Sequence, residues 1–424
     1  MSDSAMMDLA AAIGIDWADQ HHDVSLQEIG SPKVEYSRIE HTPEALTEWL
    51  ARLRQRFRGR SIGVAVETSR GPLIHALLEH EFIVLYPVNP KSLQRYREAF
   101  APSGAKDDVP DADLLRDMLV KHGERLRPWQ PDDEPTRALR RLVQSRRKTV
   151  DMRTQLTQQL RAALKEYFPQ ALSWVGEDLG SPLACDFLLK WPTLEAVQRA
   201  RLETVRKFYH AHRCRRSDLI ERRLDEIRNA TPLTRDRAIL ESSVLLVQML
   251  ARQLQALNPS IAQFEKEIER RFAVHEDAEL FRSLPGSGRA LAPRLLAAFG
   301  SNRERFAAAS DLQQHSGIAP VTERSGKSCH THWRFSAPKF VRQTFHEFAH
   351  QSILKCAWAR AYYDKQIERG SGHHAAVRSL AFKWIRVIWR CWQDRTLYDD
   401  ARYMQALVQR DSPLAARLAA AAER

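Results

Sequence analysis

Cysteine is scarce in this chain. The five residues, Cys185, Cys214, Cys329, Cys356 and Cys391, are odd in number, and no two have metal-knuckle spacing. A disulfide framework and a zinc ribbon are therefore excluded, and reduced thiols are expected. Long apolar runs are also missing: no uncharged stretch reaches the length of a membrane span, and the polar, acidic N-terminus lacks a signal core. A soluble cytoplasmic protein with no membrane partner is the expectation. No internal repeat or low-complexity tract suggests a solenoid or a disordered tail. What the chain has is positive charge. Its 65 Lys and Arg against 53 Asp and Glu give a net +12, which favours a polyanionic partner, nucleic acid before membrane. The 424 residues suffice for two or three domains.

Against that balance, three acidic places stand out in the first quarter of the chain. Asp16 follows the apolar run Ile13–Ile15, and Glu67 follows Ile62–Val66. Both runs read as buried strands, and a carboxylate at the end of such a strand is costly unless compensated. A third cluster is KDDVPDAD, residues 106–113. Short apolar runs at 13–15, 24–26, 62–66 and 82–86 alternate with a helical pattern over Pro43–Phe57 and a helix start at Gly71–Pro72. This order predicts an α/β domain of at least four strands. Strand-end carboxylates can converge to hold hard divalent ions, and two-metal phosphoryl transfer uses about four of them. Asp108 and Asp111 are the candidates for the remainder. Singly, an Asp after a strand is more often a turn or helix cap, and the 107–113 run also reads as a solvated helix start. Pro110 predicts that Asp111 lies in the first turn of a helix and Asp108 just outside it.

After the polar stretch Pro128–Pro135 the pattern turns helical. Leu139, Leu142, Leu156, Leu160 and Leu164 form a loosely heptad-like stripe among Arg140, Arg141, Arg146, Arg147 and Lys148. A second helical stretch covers Asp236–Leu257, and Asn258-Pro259 predicts a bend or restart before Ile261–Phe272. The two segments can pair within one chain or between chains. Between them, the run Arg213–Arg216 suits nucleic acid or a solvated helix face equally.

Further on, Leu284–Gly300 reads LPGSGRALAPRLLAAFG, a Gly-x-Gly turn before an apolar helix. It resembles half of a helix-hairpin-helix that can hold one phosphate, or else a plain interhelical turn. Ser316–Ser328, SGIAPVTERSGKS, is expected to be a loop containing Lys327. Ser316, Ser325 and Ser328 are its candidate nucleophiles, with His330 and His332 nearby, and a serine hydroxyl needs activation. Arg334, Lys339 and Arg342 can face backbone phosphates. His373 and His374 suit a metal or a polar helix start. From Arg410 the tail is expected to fray.

IGIDWADQHHDVSL, AVETS and AKDDVPDADLL resemble the signatures of insertion-sequence transposases with a RuvC-like DEDD domain, the bridge-RNA-guided recombinases. The resemblance runs in order to about residue 395. It implies a ribonuclease-H-like N-terminal domain at 10–130, a coiled-coil-like helical region at 131–280, a mainly helical transposase domain at 281–400 and a tail at 401–424. It implies metal ligands Asp16, Glu67, Asp108 and Asp111 for two Mg²⁺, with Mn²⁺ as a substitute. Asp107 stands where the family usually has Thr, which leaves the third ligand's register open. The serine of the family's Ser-Gly loop falls on Ser325; Lys327 beside it joins Arg334, Lys339 and Arg342 as nucleic-acid contacts expected from charge alone.

The activity implied is cleavage and rejoining of element ends and target DNA through a transient phosphoserine link. A structured guide RNA, a dimer or tetramer, and a nucleoid-associated cytoplasmic location go with it. Two other readings are a Mg²⁺-dependent structure-specific nuclease without a covalent intermediate, and a non-catalytic nucleic-acid-binding protein. The basic balance alone allows the last.

Overall fold

The structure is a computed structural model that describes residues 9–67, 71–100, 111–326, 328–334 and 337–422. The chain forms two compact units, one ending at Pro131 and one starting at Asp132.

The first unit is a mixed sheet with helices on both faces, consistent with a ribonuclease-H-like fold. Its strands are β1 (Ala11–Trp17), β2 (His21–Glu28), β3 (Val34–Glu40), β4 (Ile62–Val66) and β5 (Ile83–Pro87), in spatial order β3-β2-β1-β4-β5. The first three run antiparallel as a meander, and β1, β4 and β5 are parallel. The sequence pattern did not single out β3, because only Ile39 of VEYSRIE is buried. Strand alternation divides β1 between two cores. Ile13 and Ile15 face α1 (Pro43–Arg56) and α2 (Pro72–Leu77), with Leu46, Trp49, Leu50, Leu73 and Leu77. Ala12 faces the opposite side with Ala65, Leu114, Leu115 and Leu119, the side covered by α3 (Pro90–Phe100) and α4 (Asp111–His122). Thr42 caps α1 by accepting from the Ala45 N–H at 3.2 Å, ahead of Pro43 at the first helical position.

Small residues bring α4 unusually close to the sheet. A Cβ on Gly14 would overlap the Ala112 carbonyl oxygen and lie 2.5 Å from the Arg116 nitrogen. The contact is then locked by Arg116, which is 7% exposed. Its guanidinium donates to Ser25 Oγ at 3.1 Å, to Asp113 at 2.6 Å and to Gln27.

The second unit is mainly helical. α5 (Glu134–Tyr167) and the Arg237–Ala273 helix lie antiparallel within the chain, with Arg146 against Glu265 and Arg153 against Asn258, both at about 3 Å. The helix does not restart at Pro259: one helix of 37 residues runs through it. Packing along α5 outweighs the one hydrogen bond that proline removes. Asn258 is itself tied down, accepting from Arg153 and donating to the Gly180 carbonyl at 2.7 Å. One core fills the end of this pair around Phe187, Trp191 and Val247. The other fills the opposite end and joins Leu139 and Phe272 to the C-terminal helices around Phe299, Phe345 and Trp384.

The tail expected to fray instead forms helices Asp400–Gln409 and Pro413–Ala422. Leu407 and Leu414 bury against that second core, and Arg417 pairs with Glu368 at 2.6 Å. No helix among the described residues is long and apolar enough to cross a membrane.

Candidate active site

In parallel strands the carboxyl ends lie side by side. Ile15 of β1 is level with Val66 of β4, so the next residues, Asp16 and Glu67, stand side by side where the β1–β4 pairing ends, Asp16 still paired with β2. Both share the face of Gly14 and Ala65, which is the face under α4. Asp111 opens α4 at the same edge. The Gly14 approach and the Arg116 lock therefore decide where Asp111 sits.

The electrostatics record the convergence. Asp16 is half-buried, and its carboxyl is held above the usual carboxylate range by burial first, then by the charges of Asp111, Glu67 and Asp23. Arg97, on the last turn of α3, opposes this and is ion-paired with Asp111. Asp23 lies directly across β1–β2 from Asp16 and pairs with Arg38 at 2.8 Å. The sequence reading missed Asp23 and Arg97. The alternation of Asp23 and Ser25 with buried Val24 and Leu26 carried a signal for the first; nothing local marked the second.

Asp113 belongs to the scaffold, since it accepts from Ser25 Oγ at 2.9 Å, Tyr36 Oη at 3.1 Å and Arg116. Asp107 and Asp108 lie outside the described residues. Among the described residues, no three acidic, histidine or cysteine side chains close on one point as metal ligands do. Carboxylates are hard oxygen donors, and in kind they suit a divalent cation.

In the second unit, the segment expected as an open serine loop is a β-hairpin from Val321. β6 (Val321–Ser325) pairs with β7 (Ser328–His332), Ser325 opposite Ser328 at the tip. Gly326 takes the turn at φ +56°. Lys327 lies outside the described residues. Ser325 is exposed. Ser328 Oγ is 2.8 Å from His330 Nε2, a contact that sequence alone left undecided. His332 bonds Glu323 at 3.0 Å, which raises its pKa. Ser316, the third candidate, is fully buried and hydrogen-bonded to the Gln313 carbonyl at 3.0 Å, so it is structural.

Arg334 and Arg342 are half-buried beside the hairpin's root, whereas Lys339 is exposed at the start of the Lys339–Ser352 helix. In the Gly-x-Gly segment, Gly286 has φ +83° and its Cα faces the Gln351 backbone closely, an interhelical packing role. His373 opens the His373–Asp394 helix and bonds Tyr363 Oη at 2.8 Å. Arg216 pairs with Asp218 at an exposed helix start.

Comparison with known proteins supplies two family matches. Residues 13–169 match a DEDD family of IS110 type described as transposase, and residues 278–364 match the transposase family IS116/IS110/IS902. The chain is 30% identical to the mini-circle putative transposase for IS117 of Streptomyces coelicolor over 407 residues, covering 95% of this chain and 98% of that protein. It is 27% identical over 368 residues to an uncharacterized 42 kDa protein of insertion element IS900 from Mycobacterium paratuberculosis, covering 86% and 91%. An uncharacterized 43.6 kDa protein of insertion element IS110 from Streptomyces coelicolor is 28% identical over 314 residues, 70% of this chain and 73% of that one.

Proposed function

This chain belongs to the IS116/IS110/IS902 family of DEDD transposases, and from that premise we propose that it cleaves and rejoins DNA at element ends and target through two centres. One is the acidic edge of the first unit; the other is the serine hairpin of the second. The observation that carries the reading is the placement of Asp16, Glu67 and Asp111 at one end of the sheet, where burial first and the neighbouring carboxylates second hold the Asp16 carboxyl above its usual range, in a chain whose net charge is +12.

Asp16, Glu67 and Asp111, with Asp108, would hold Mg²⁺, or Mn²⁺ in its place. When bound, such ions neutralise charge on a transferring phosphoryl group and acidify a bound hydroxyl. The residues' own contribution is to supply hard oxygen donors and to keep Arg97 beside Asp111 as a counter-charge.

At the hairpin, Ser325 Oγ attacks a backbone phosphorus. The P–O bond to the leaving deoxyribose oxygen breaks, and the serine proton passes to a base. Attack of a second strand's hydroxyl on the phosphoserine reverses the step and restores a phosphodiester without ATP, because the ester conserves the bond. The Ser328–His330 contact at 2.8 Å supports a second assignment, in which Ser328 is the nucleophile and His330 takes its proton. A structured guide RNA, an oligomeric assembly and a nucleoid location complete the proposal; the cationic balance supports a polyanionic partner. A Mg²⁺-dependent nuclease without a covalent step is the alternative, followed by a binding protein without catalysis.

The test is adduct trapping on nicked suicide DNA followed by peptide mapping. A DNA-linked peptide ending at Ser325, lost in Ser325→Ala and kept in Ser328→Ala, is expected. An adduct that persists in Ser325→Ala moves the role to another residue. No adduct from protein that still cleaves leaves the nuclease reading.

A further inference from the structure

At the root of the β6–β7 hairpin lies a cavity of about 440 Å³, between Gly317–Pro320, the strand end at Thr331–Arg334, and the start of the His373–Asp394 helix. Two arginines, Arg334 and Arg378, line it, and a third, Arg342, lies next to Gly317 in its wall. Arg378 sits over the Trp333 ring, its guanidinium carbon 3.1 Å from the ring centre. Arg342 sits beside it, with its Nε 3.4 Å from where a Cβ on Gly317 would be. Arg334 belongs to the segment that lines the cavity itself.

Among the described residues, the Nε atoms of all three are shut off from solvent and have no hydrogen-bond partner. The acids on the same elements are engaged elsewhere: Glu347 with Arg147 and Arg294, Glu323 with His332, and Asp394 with Arg390. Burial, then the charge of Arg342, lowers the pKa of Arg378. Like charges are thus held close together without a carboxylate partner among the described residues; Arg342 donates one N–H to the Ala337 carbonyl at 3.2 Å, and its Nε and those of Arg334 and Arg378 stay unpaired. Structural arginines are normally satisfied by carboxylates or carbonyls. A set left open in this way matches a phosphate, whose oxygens accept the paired N–H groups of the guanidinium plane.

We propose that this cavity is a seat for one backbone phosphate of a nucleic-acid strand, gripped by Arg342, Arg378 and Arg334, with Trp333 fixing the plane of Arg378. The inference rests on the DNA-processing reading above and deepens it. The hairpin carries Ser325 and Ser328 at its tip, and five strand residues span roughly 15 Å from root to tip. For a duplex axis parallel to the hairpin, that span is about four to five steps at roughly 3.4 Å per step. The seat works as a register clamp: it fixes how far along the strand the hairpin tip comes down.

The test is binding of a 12-base-pair duplex to the full chain over a salt series. Variants are Arg378→Gln, Arg342→Gln, Arg334→Gln and Arg378→Lys, with Lys355→Gln as an exposed charge-loss control. Each Gln variant in the cavity should weaken binding roughly tenfold at low salt, and should lower the log–log salt slope by about 0.9 if one phosphate contact is lost. Arg378→Lys keeps the charge but not the fork or the ring contact, so it should recover only part of the loss. Lys355→Gln should do little. Arg334→Gln stands in if the two helical variants fail to match the wild-type melting curve. Folded cavity variants that bind like wild type, or no worse than Lys355→Gln, would overturn the seat. That result with the serine adduct intact removes the clamp alone. Loss of binding in the cavity variants, together with no adduct in the wild type, removes the recombinase reading and leaves the phosphate seat standing.

Discussion

Replacing Gly14 by alanine tests the geometry on which the acidic edge depends. The added methyl would run into the Ala112 carbonyl oxygen and stand 2.5 Å from the Arg116 nitrogen, where ordinary contact begins at 3.4 Å, so the helix backbone must retreat by about 0.9 Å at that nitrogen alone. Neither obstacle is a side chain that can rotate away. α4 is also pinned from below by Leu115 and Leu119, both fully buried, and by the Arg116 network to Ser25 and Gln27. Overpacking of this kind costs about 1–3 kcal/mol, and a backbone obstacle places it at the upper end. For a unit of this size that is a fall in Tm of roughly 10 °C.

Gly63→Ala is the matched control. It lies on the same face of the neighbouring strand, but its new methyl meets the tips of Leu9 and Leu119 at 2.9 and 3.0 Å, which can shift. A cost of about 1 kcal/mol is expected there. Calorimetry of the full chain, with hydrogen exchange to assign the first unit's transition, reads both. Because α4 carries Asp111, DNA cleavage should fall in Gly14→Ala beyond what the stability loss explains. Equal melting of the two variants, or a wild-type Gly14→Ala, would refute the close approach of α4 to β1.

Asp16→Asn should abolish cleavage yet raise thermal stability at neutral pH in the absence of divalent ions. The folded Asp16 carboxyl sits above its ordinary value, so the folded state holds the proton more tightly, and stability falls as pH rises from the ordinary carboxylate value through the raised one. Added Mg²⁺ should stabilise the wild type and not the variant; a destabilised Asp16→Asn would make Asp16 a structural residue. Asp108→Asn should lose Mg²⁺-dependent cleavage while Asp107→Asn retains it, and the reverse result in a Mg²⁺ titration would shift the ligand register by one. His22 is buried beside His41, Nε2 to Nδ1 at 2.8 Å, and burial, then His41 and His21, lower its pKa to about 4. Between about pH 6.5 and 4 the unfolded chain binds the extra proton, so the first unit should lose roughly 3 kcal/mol of stability as pH falls through that window. His22→Gln should flatten the loss, and an unchanged acid melting curve in that variant would reject the assignment.

Much of the first unit was legible in the sequence, because strands buried on both faces appear as continuous apolar runs and their ends are marked by the first acid that follows. Asp16 and Glu67 were singled out as candidates that way, although β1 runs on to Trp17, and the first-turn position of Asp111 was read from Pro110. The long helices of the second unit were equally plain, but proline chemistry misled at Asn258-Pro259, where tertiary packing against α5 overrides a local penalty of a single hydrogen bond. The tail misled similarly, since an alanine-rich segment gives no sign that one or two leucines will find a core.

What only the folded chain decided is the meeting of groups distant in sequence. Local pattern fixes which face a side chain takes along its own strand or helix; it does not say which neighbour that face will meet. The separation of Asp111, which faces Asp16, from Asp113, which is bound into Ser25 and Tyr36, depends on where α4 lies over β1 and β2. Arg97 as the counter-charge of Asp111 and Arg378 over the Trp333 ring are of the same kind. Each is a contact between elements. Its energy depends on distance and burial, quantities that a sequence does not contain until the chain has chosen its packing.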